Sequence, residues 1–193
     1  MTSTSGPKAE SVFESGEPDG WKVVEGWQAQ RDDSGTTRVL VAVRHERIAA
    51  VHRALVERLA PPLSFLYRQK VDRNKPGQPG DPPRDFVALM LEPEEVLAAL
   101  ATSSKLIYHD ARCEIWIRGG LGDQIVLDTD GLIFCYPYDP AFREVLMAFG
   151  LQSDDDLHTI AHRDYVKHWF HADCDAEEDA LVDGLALSEV PHR

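Results

Sequence analysis

The order of apolar patterns along this 193-residue chain predicts an α+β fold, a mainly antiparallel mixed sheet with helices packed on one face, in the approximate order ββαββαβββαα. Strand-like runs joined directly by turns outnumber strand–helix–strand crossovers, and crossovers are what a parallel sheet requires. The clearest helical stretch carries a single apolar stripe, which suits layering against one sheet face. No unit repeats along the chain.

Order is expected to begin at Trp21, because residues 1–20 are rich in Ser, Thr, Gly, Pro and Glu and offer little apolar surface to offset chain ordering. Residues 21–30 and 36–43 read as two strands of a hairpin, turned by Asp32-Asp33-Ser34-Gly35. Residues 45–59 read as a helix, with Ile48, Val51, Leu55 and Leu59 at spacings of three and four, and Pro61-Pro62 stops it. A strand at 63–72, a Pro- and Gly-rich loop at 73–84 and an apolar strand at 85–91 follow. Pro93 suits a first helical turn, with Glu94 and Glu95 beside it to complement the helix dipole.

Three further strands are expected at 104–109, 112–118 and 124–135, the last split at Asp128-Thr129-Asp130-Gly131. A helix at 140–149 ends at Gly150, and Ser153 with Asp156 reads as a capping box opening a last helix to about 171. The domain reading is a mobile tail over 1–20, one α+β domain over 21–172 and an acidic C-terminal tail over 173–193.

Charge is the most uneven property of the sequence. The net charge is −13. Residues 1–20 hold four acids and one base, residues 151–193 hold eleven acids and three bases, and the remaining 18 acids and 16 bases lie between. Within that middle region, residues 44–84 carry nine Lys and Arg against four acids. Phosphate binding wants a net positive surface, so general nucleic-acid affinity is disfavoured. A protein partner with a basic surface fits better, as does a tail folding back on its own basic segment. Asp173, Asp175, Glu177, Glu178 and Asp179 are the candidate binding residues for such contacts.

Three cysteines, Cys113, Cys135 and Cys174, form neither an even disulfide framework nor paired CxxC knuckles. Reduced thiols and a cytoplasmic location are expected. The polar first twenty residues lack the apolar core of a secretory signal, and no apolar run approaches the ~18 residues of a membrane span, so no membrane partner is expected.

Several groups carry chemistry on paper. His158, His162, His168 and His171 fall in the expected last helix, the first pair at the i, i+4 spacing that lets two rings share a zinc or iron ion. HTIAH lacks the glutamate of HExxH, which removes the metalloprotease reading, and helix-end histidines are the plain alternative. Cys113 near His109 invites a nucleophile-and-base reading, opposed by the turn character of His109-Asp110-Ala111-Arg112. Gly119-Gly120-Leu121-Gly122 precedes a strand rather than a helix, so it reads as a hairpin loop and not a phosphate cradle. Asp123, Asp128, Asp130 and Asp139 do not match the EF-hand spacing. The aromatic group Trp116, Phe134, Tyr136 and Tyr138 reads as cross-strand packing.

No residue is nominated as catalytic. The leading functional expectation is a protein-binding module of immunity, antitoxin-like or regulatory type that acts through an acidic surface. The alternative is a metal-binding protein or metal-dependent enzyme built on the four C-terminal histidines.

Overall fold

The computed structural model describes residues 6–31, 35–71, 82–169 and 171–191. Eight strands form one antiparallel sheet: β2 (Gly26–Arg31), β3 (Thr37–Ala42), β4 (Leu63–Gln69), β5 (Arg84–Leu91), β6 (Cys113–Arg118), β7 (Gln124–Leu127), β8 (Ile133–Tyr136) and β10 (Ser188–Val190). Their spatial order is β10-β5-β4-β6-β7-β8-β3-β2, and every neighbouring pair runs antiparallel. A separate two-stranded sheet pairs β1 (Ala9–Ser11) with β9 (Tyr165–Lys167). The helices are α1 (His45–Val56), α2 (Pro93–Thr102), α3 (Ser104–His109), α4 (Pro140–Ala148) and α5 (Asp175–Gly184). The α+β expectation holds.

One core accounts for this layering. Alternate strand residues, among them Val39, Val41, Leu63, Phe65, Tyr67, Ile115, Ile117, Ile125 and Ile133, meet apolar residues of all five helices. In β4 the alternation is regular: Leu63, Phe65, Tyr67 and Gln69 point inward and the residues between are half-buried. That period of two lets one face of a strand pack while the other meets solvent or a cover. On the opposite face Leu40, Ala42 and Leu132 pack with Leu157 of the segment after α4.

Local sequence explains most boundaries. Glu92 and Glu95 form a capping box around the start of α2, with Pro93 in the first turn. Asp139 accepts a hydrogen bond from the Ala141 N–H and caps α4, and Gly150 follows it at φ 76°. The β6–β7 hairpin closes through Gly119–Gly122. A Cβ on Gly120 would lie 2.7 Å from the Pro61 carbonyl oxygen, so the turn sits against Pro61 only because that side chain is absent.

The segment 104–109 is a helix rather than the expected strand. Leu106, Ile107 and Tyr108 are buried consecutively, which alternation forbids, and the Glu177 carboxylate accepts a hydrogen bond from the Leu106 N–H at 2.9 Å. That acceptor lies 71 residues away in sequence. The expected helix over 153–171 is also replaced, by a 3₁₀ turn at Ile160–His162 and the strand β9. Its partner strand β1 comes from the N-terminal segment expected to be mobile, where Lys8 is 2% exposed. Residues 173–193, expected as a tail, supply α5 and β10, and β10 pairs with β5. Most of the expected turn at 32–35 and of the loop at 73–84 lies outside the described residues.

Candidate interaction surface

The C-terminal acids proposed as a partner surface mostly face inward. Arg112 is fully buried, and its guanidinium donates to Asp110, Asp175 and Glu178, each at 2.8 Å. Burial opposes its charge, but the hydrogen bonds and charges of Asp110 and Glu178 outweigh that and raise its pKa further. Tyr67 and Gln69 also donate to Glu178. Asp173 pairs with Lys105, and Glu177 caps α3. Of the five nominated acids only Asp179 points outward with no partner among the described residues.

The tail therefore docks on its own chain, and most of the described cations of the basic segment 44–84 pair elsewhere. Arg44 and Arg47 pair with Glu25, Arg68 with Asp85 and Lys70 with Glu114. Arg84, paired with Glu189, is the ion pair from that segment to the C-terminal acids among the described residues. The decisive cation, Arg112, lies outside it. Sequence reasoning passed over Arg112 because an isolated arginine in a turn carries no signal of burial.

The four nominated histidines do not converge. The His158 and His162 rings meet at a tilt of 55° with centroids 5.0 Å apart, and His162 accepts a hydrogen bond from the Thr159 N–H. His168 meets Glu10 at 3.3 Å instead. His171 uses its backbone, donating N–H to Asp110 and accepting from Arg112. The helix expected to carry all four is absent. Among the described residues no group of three or more His, Cys, Asp or Glu is arranged to hold a metal ion.

The other candidate chemistries dissolve into structure in the same way. Cys113, Cys135 and Cys174 are buried free thiols; burial pushes Cys113 and Cys174 up to about 12 and raises Cys135 as well. None is poised as a thiolate at neutral pH. His109 ends α3 while Cys113 opens β6, and the intervening turn separates them. Asp128 accepts from the Asp130 and Leu132 N–H groups and shapes the β7–β8 turn. Trp116 and Phe134 are half-buried on the helix-free face, with the Arg68 and Arg38 guanidinium groups over their rings.

Two concavities stand out among the described residues. A cleft of about 390 Å³ lies between the N-terminal segment, the start of α1 and the β7–β8 turn, and its walls mix both signs of charge, including Arg44, Glu46 and Asp130. Lys8 borders it, yet its ammonium donates to the Cys113 and Asp128 carbonyls instead. The second is a groove of about 250 Å³ between α2 and α5. These two helices carry Glu94 and Glu95, and Asp175, Glu177, Glu178, Asp179 and Asp183, with no Lys or Arg in either. Glu94, Glu95, Asp179 and Asp183 are exposed.

Among the described residues no helix is long and apolar enough to cross a membrane. Compared with family models, curated proteins and solved structures, the chain matches none. The fold defines its class: an α+β protein with an eight-stranded antiparallel sheet, two of whose neighbouring helices, α2 and α5, carry acids and no Lys or Arg.

Proposed function

We propose that this chain is a protein-binding module of immunity, antitoxin-like or regulatory type, and that it takes a basic partner on the α2–α5 face. The observation that carries the reading is the absence of any Lys or Arg from two neighbouring helices that expose four acids. A single-sign surface of this kind attracts an oppositely charged partner over long range and speeds association. The acids that hold Arg112 are distinct from the exposed ones, so the surface can be engaged without loosening the Arg112 cluster. The three thiols are unpaired, and the reading places the module in a reducing compartment, the cytoplasm.

The test compares capture from the native host by the wild-type chain and by a Glu94→Lys/Asp179→Lys/Asp183→Lys variant. A basic protein retained by the wild type at low salt, released as salt rises and absent from the variant is the expected outcome. Equal capture by both chains removes this face from the reading.

A further inference from the structure

The helix-free face of the sheet carries an apolar row that runs across the strands. Backbone register sets Val87, Leu66, Trp116, Val126, Phe134 and Leu40 side by side on β5, β4, β6, β7, β8 and β3. The β3 end is covered, since Leu40 and Phe134 pack in the cluster that holds Leu157. At the other end Val87, Leu66 and Trp116 stay half-buried. There β5 bulges: Phe65 faces Ala88 and Leu63 faces Leu91, so β5 has one residue more than β4 between the two pairs. Within the bulge Met90 takes φ 61°, a left-handed backbone that glycine ordinarily occupies. Leu89 and Met90 are left 65% and 74% exposed opposite Ser64, which itself faces Arg118. Beyond Arg118 the β6–β7 hairpin holds Leu121 at 82% exposure. The three most exposed large apolar side chains among the described residues thus stand at one end of one sheet.

Charge on this face is uneven in the same place. The acids that the strands set on it are taken, Asp85 by Arg68 and Glu114 by Lys70. Two guanidinium groups have no carboxylate among the described residues: exposed Arg118, and Arg38, whose donors go to Gln30 and Tyr136. They share one cross-strand row, three strand spacings or about 14 Å apart. We propose that this end of the helix-free face is a second docking surface. Its occupant is a protein segment whose Leu, Ile or Phe side chains cover Leu89, Met90 and Leu121 and whose carboxylates meet Arg118 and Arg38. The surface is independent of the α2–α5 face and takes a segment of the opposite sign. Large apolar side chains gathered in water mark interaction sites, and aromatic residues, Met and Arg concentrate at the centre of interfaces. A face-to-face second copy would offer Arg118 and Arg38 only acids that already hold Arg68 and Lys70. Single-stranded nucleic acid stacks its bases on open rings, whereas Trp116 and Phe134 lie under the Arg68 and Arg38 guanidinium groups.

The test uses the full chain at physiological salt, where repulsion from its net charge of −13 is screened beyond ~8 Å. Three fluorescent peptides are compared. The first combines Leu and Phe with two Glu four residues apart, which an extended chain spaces at about 14 Å. The second has Lys in place of Glu, and the third has Ser in place of Leu and Phe. The wild type is expected to bind the first peptide at least tenfold tighter than either of the others. Arg118→Glu is expected to lose at least tenfold for it. Leu89→Ser/Met90→Gly is expected to lose as much while melting no lower than the wild type, because glycine suits the backbone that Met90 adopts. No saturable binding by the wild type, equal binding by both variants, or equal binding of the Lys peptide overturns the proposal. So does tighter binding of a single-stranded thymidine oligonucleotide that Arg118→Glu abolishes, which would make the occupant a nucleic acid. A concentration-dependent dimer that Leu89→Ser/Met90→Gly dissolves would make it a second copy and overturns the proposal equally.

Discussion

Arg112 is where a single residue has the widest consequence. A guanidinium has five donors in a planar fork, and three carboxylates converge on this one from the turn ahead of β6 and from α5. The same residue joins chain segments 63 and 66 positions apart. Removing the cation leaves Asp110 and Glu178 facing each other without compensation, and such losses cost about 3–5 kcal/mol. Arg112→Met is therefore expected to lower unfolding free energy by that order in urea titration, whereas Arg118→Met, at an exposed position, is expected to change it by less than ~0.5 kcal/mol. Equal effects would mean the buried cluster contributes no net stability.

At the scale of elements, the C-terminal α5–β10 unit acts as a clasp over the sheet. It brings Leu181, Leu185 and Leu187 into the core, covers the β5 edge and supplies two carboxylates to Arg112. Each buried leucine contributes about 1.5–3 kcal/mol, so three approach the whole stability of an ordinary domain. Deleting residues 174–193 is expected to abolish a cooperative melt and to produce aggregation through the freed β5 edge, followed by circular dichroism and gel filtration. A soluble, normally melting truncation would instead identify the segment as a removable mask over a basic surface. Two of the elements misread from sequence, α3 and β9, share a cause. Each is held by a distant partner, Glu177 for α3 and β1 for β9, and local periodicity carries no trace of either.

Across the whole molecule, two enclosed groups give stability opposite dependences on pH. Burial, then the neighbouring Asp130 carboxylate, push Asp128 up to about 6, so between its ordinary value of 3.8 and 6 the folded state holds a proton the unfolded state lacks, and stability falls as pH rises. Burial, then the charge of Lys8, lower His52 to about 3, so between 3 and 6.5 the unfolded state holds the extra proton, and stability rises with pH. From about pH 4 to 6 the two slopes oppose each other at about 1.4 kcal/mol per pH unit each. Asp128→Asn, which keeps the acceptor for the Asp130 and Leu132 N–H groups, is expected to expose a rising slope over that range. His52→Asn, placed to keep the contact with the Tyr108 hydroxyl, is expected to expose a falling one, whatever it costs in overall level. Denaturant titrations at pH 4.5, 5.2 and 6 read both slopes; parallel profiles for the two variants would refute the assignment.

Periodicity and turn chemistry were enough to establish the α+β class, the β2–β3 hairpin, α1, α2, α4 and the split between β7 and β8, because each depends on which face of a short segment is apolar and where the chain must turn. Composition alone also located the excess of acid near the C-terminus. Which acids are spent inside and which face outward was decided only in three dimensions. Asp175 and Glu178 look no different from Asp179 and Asp183 in the sequence, and α5 alone turns the first pair toward Arg112 and the second toward solvent. A charge does not encode its partner locally, whereas an apolar stripe encodes its buried face, and that is why the architecture could be read along the chain and the division of the acids between inside and outside could not.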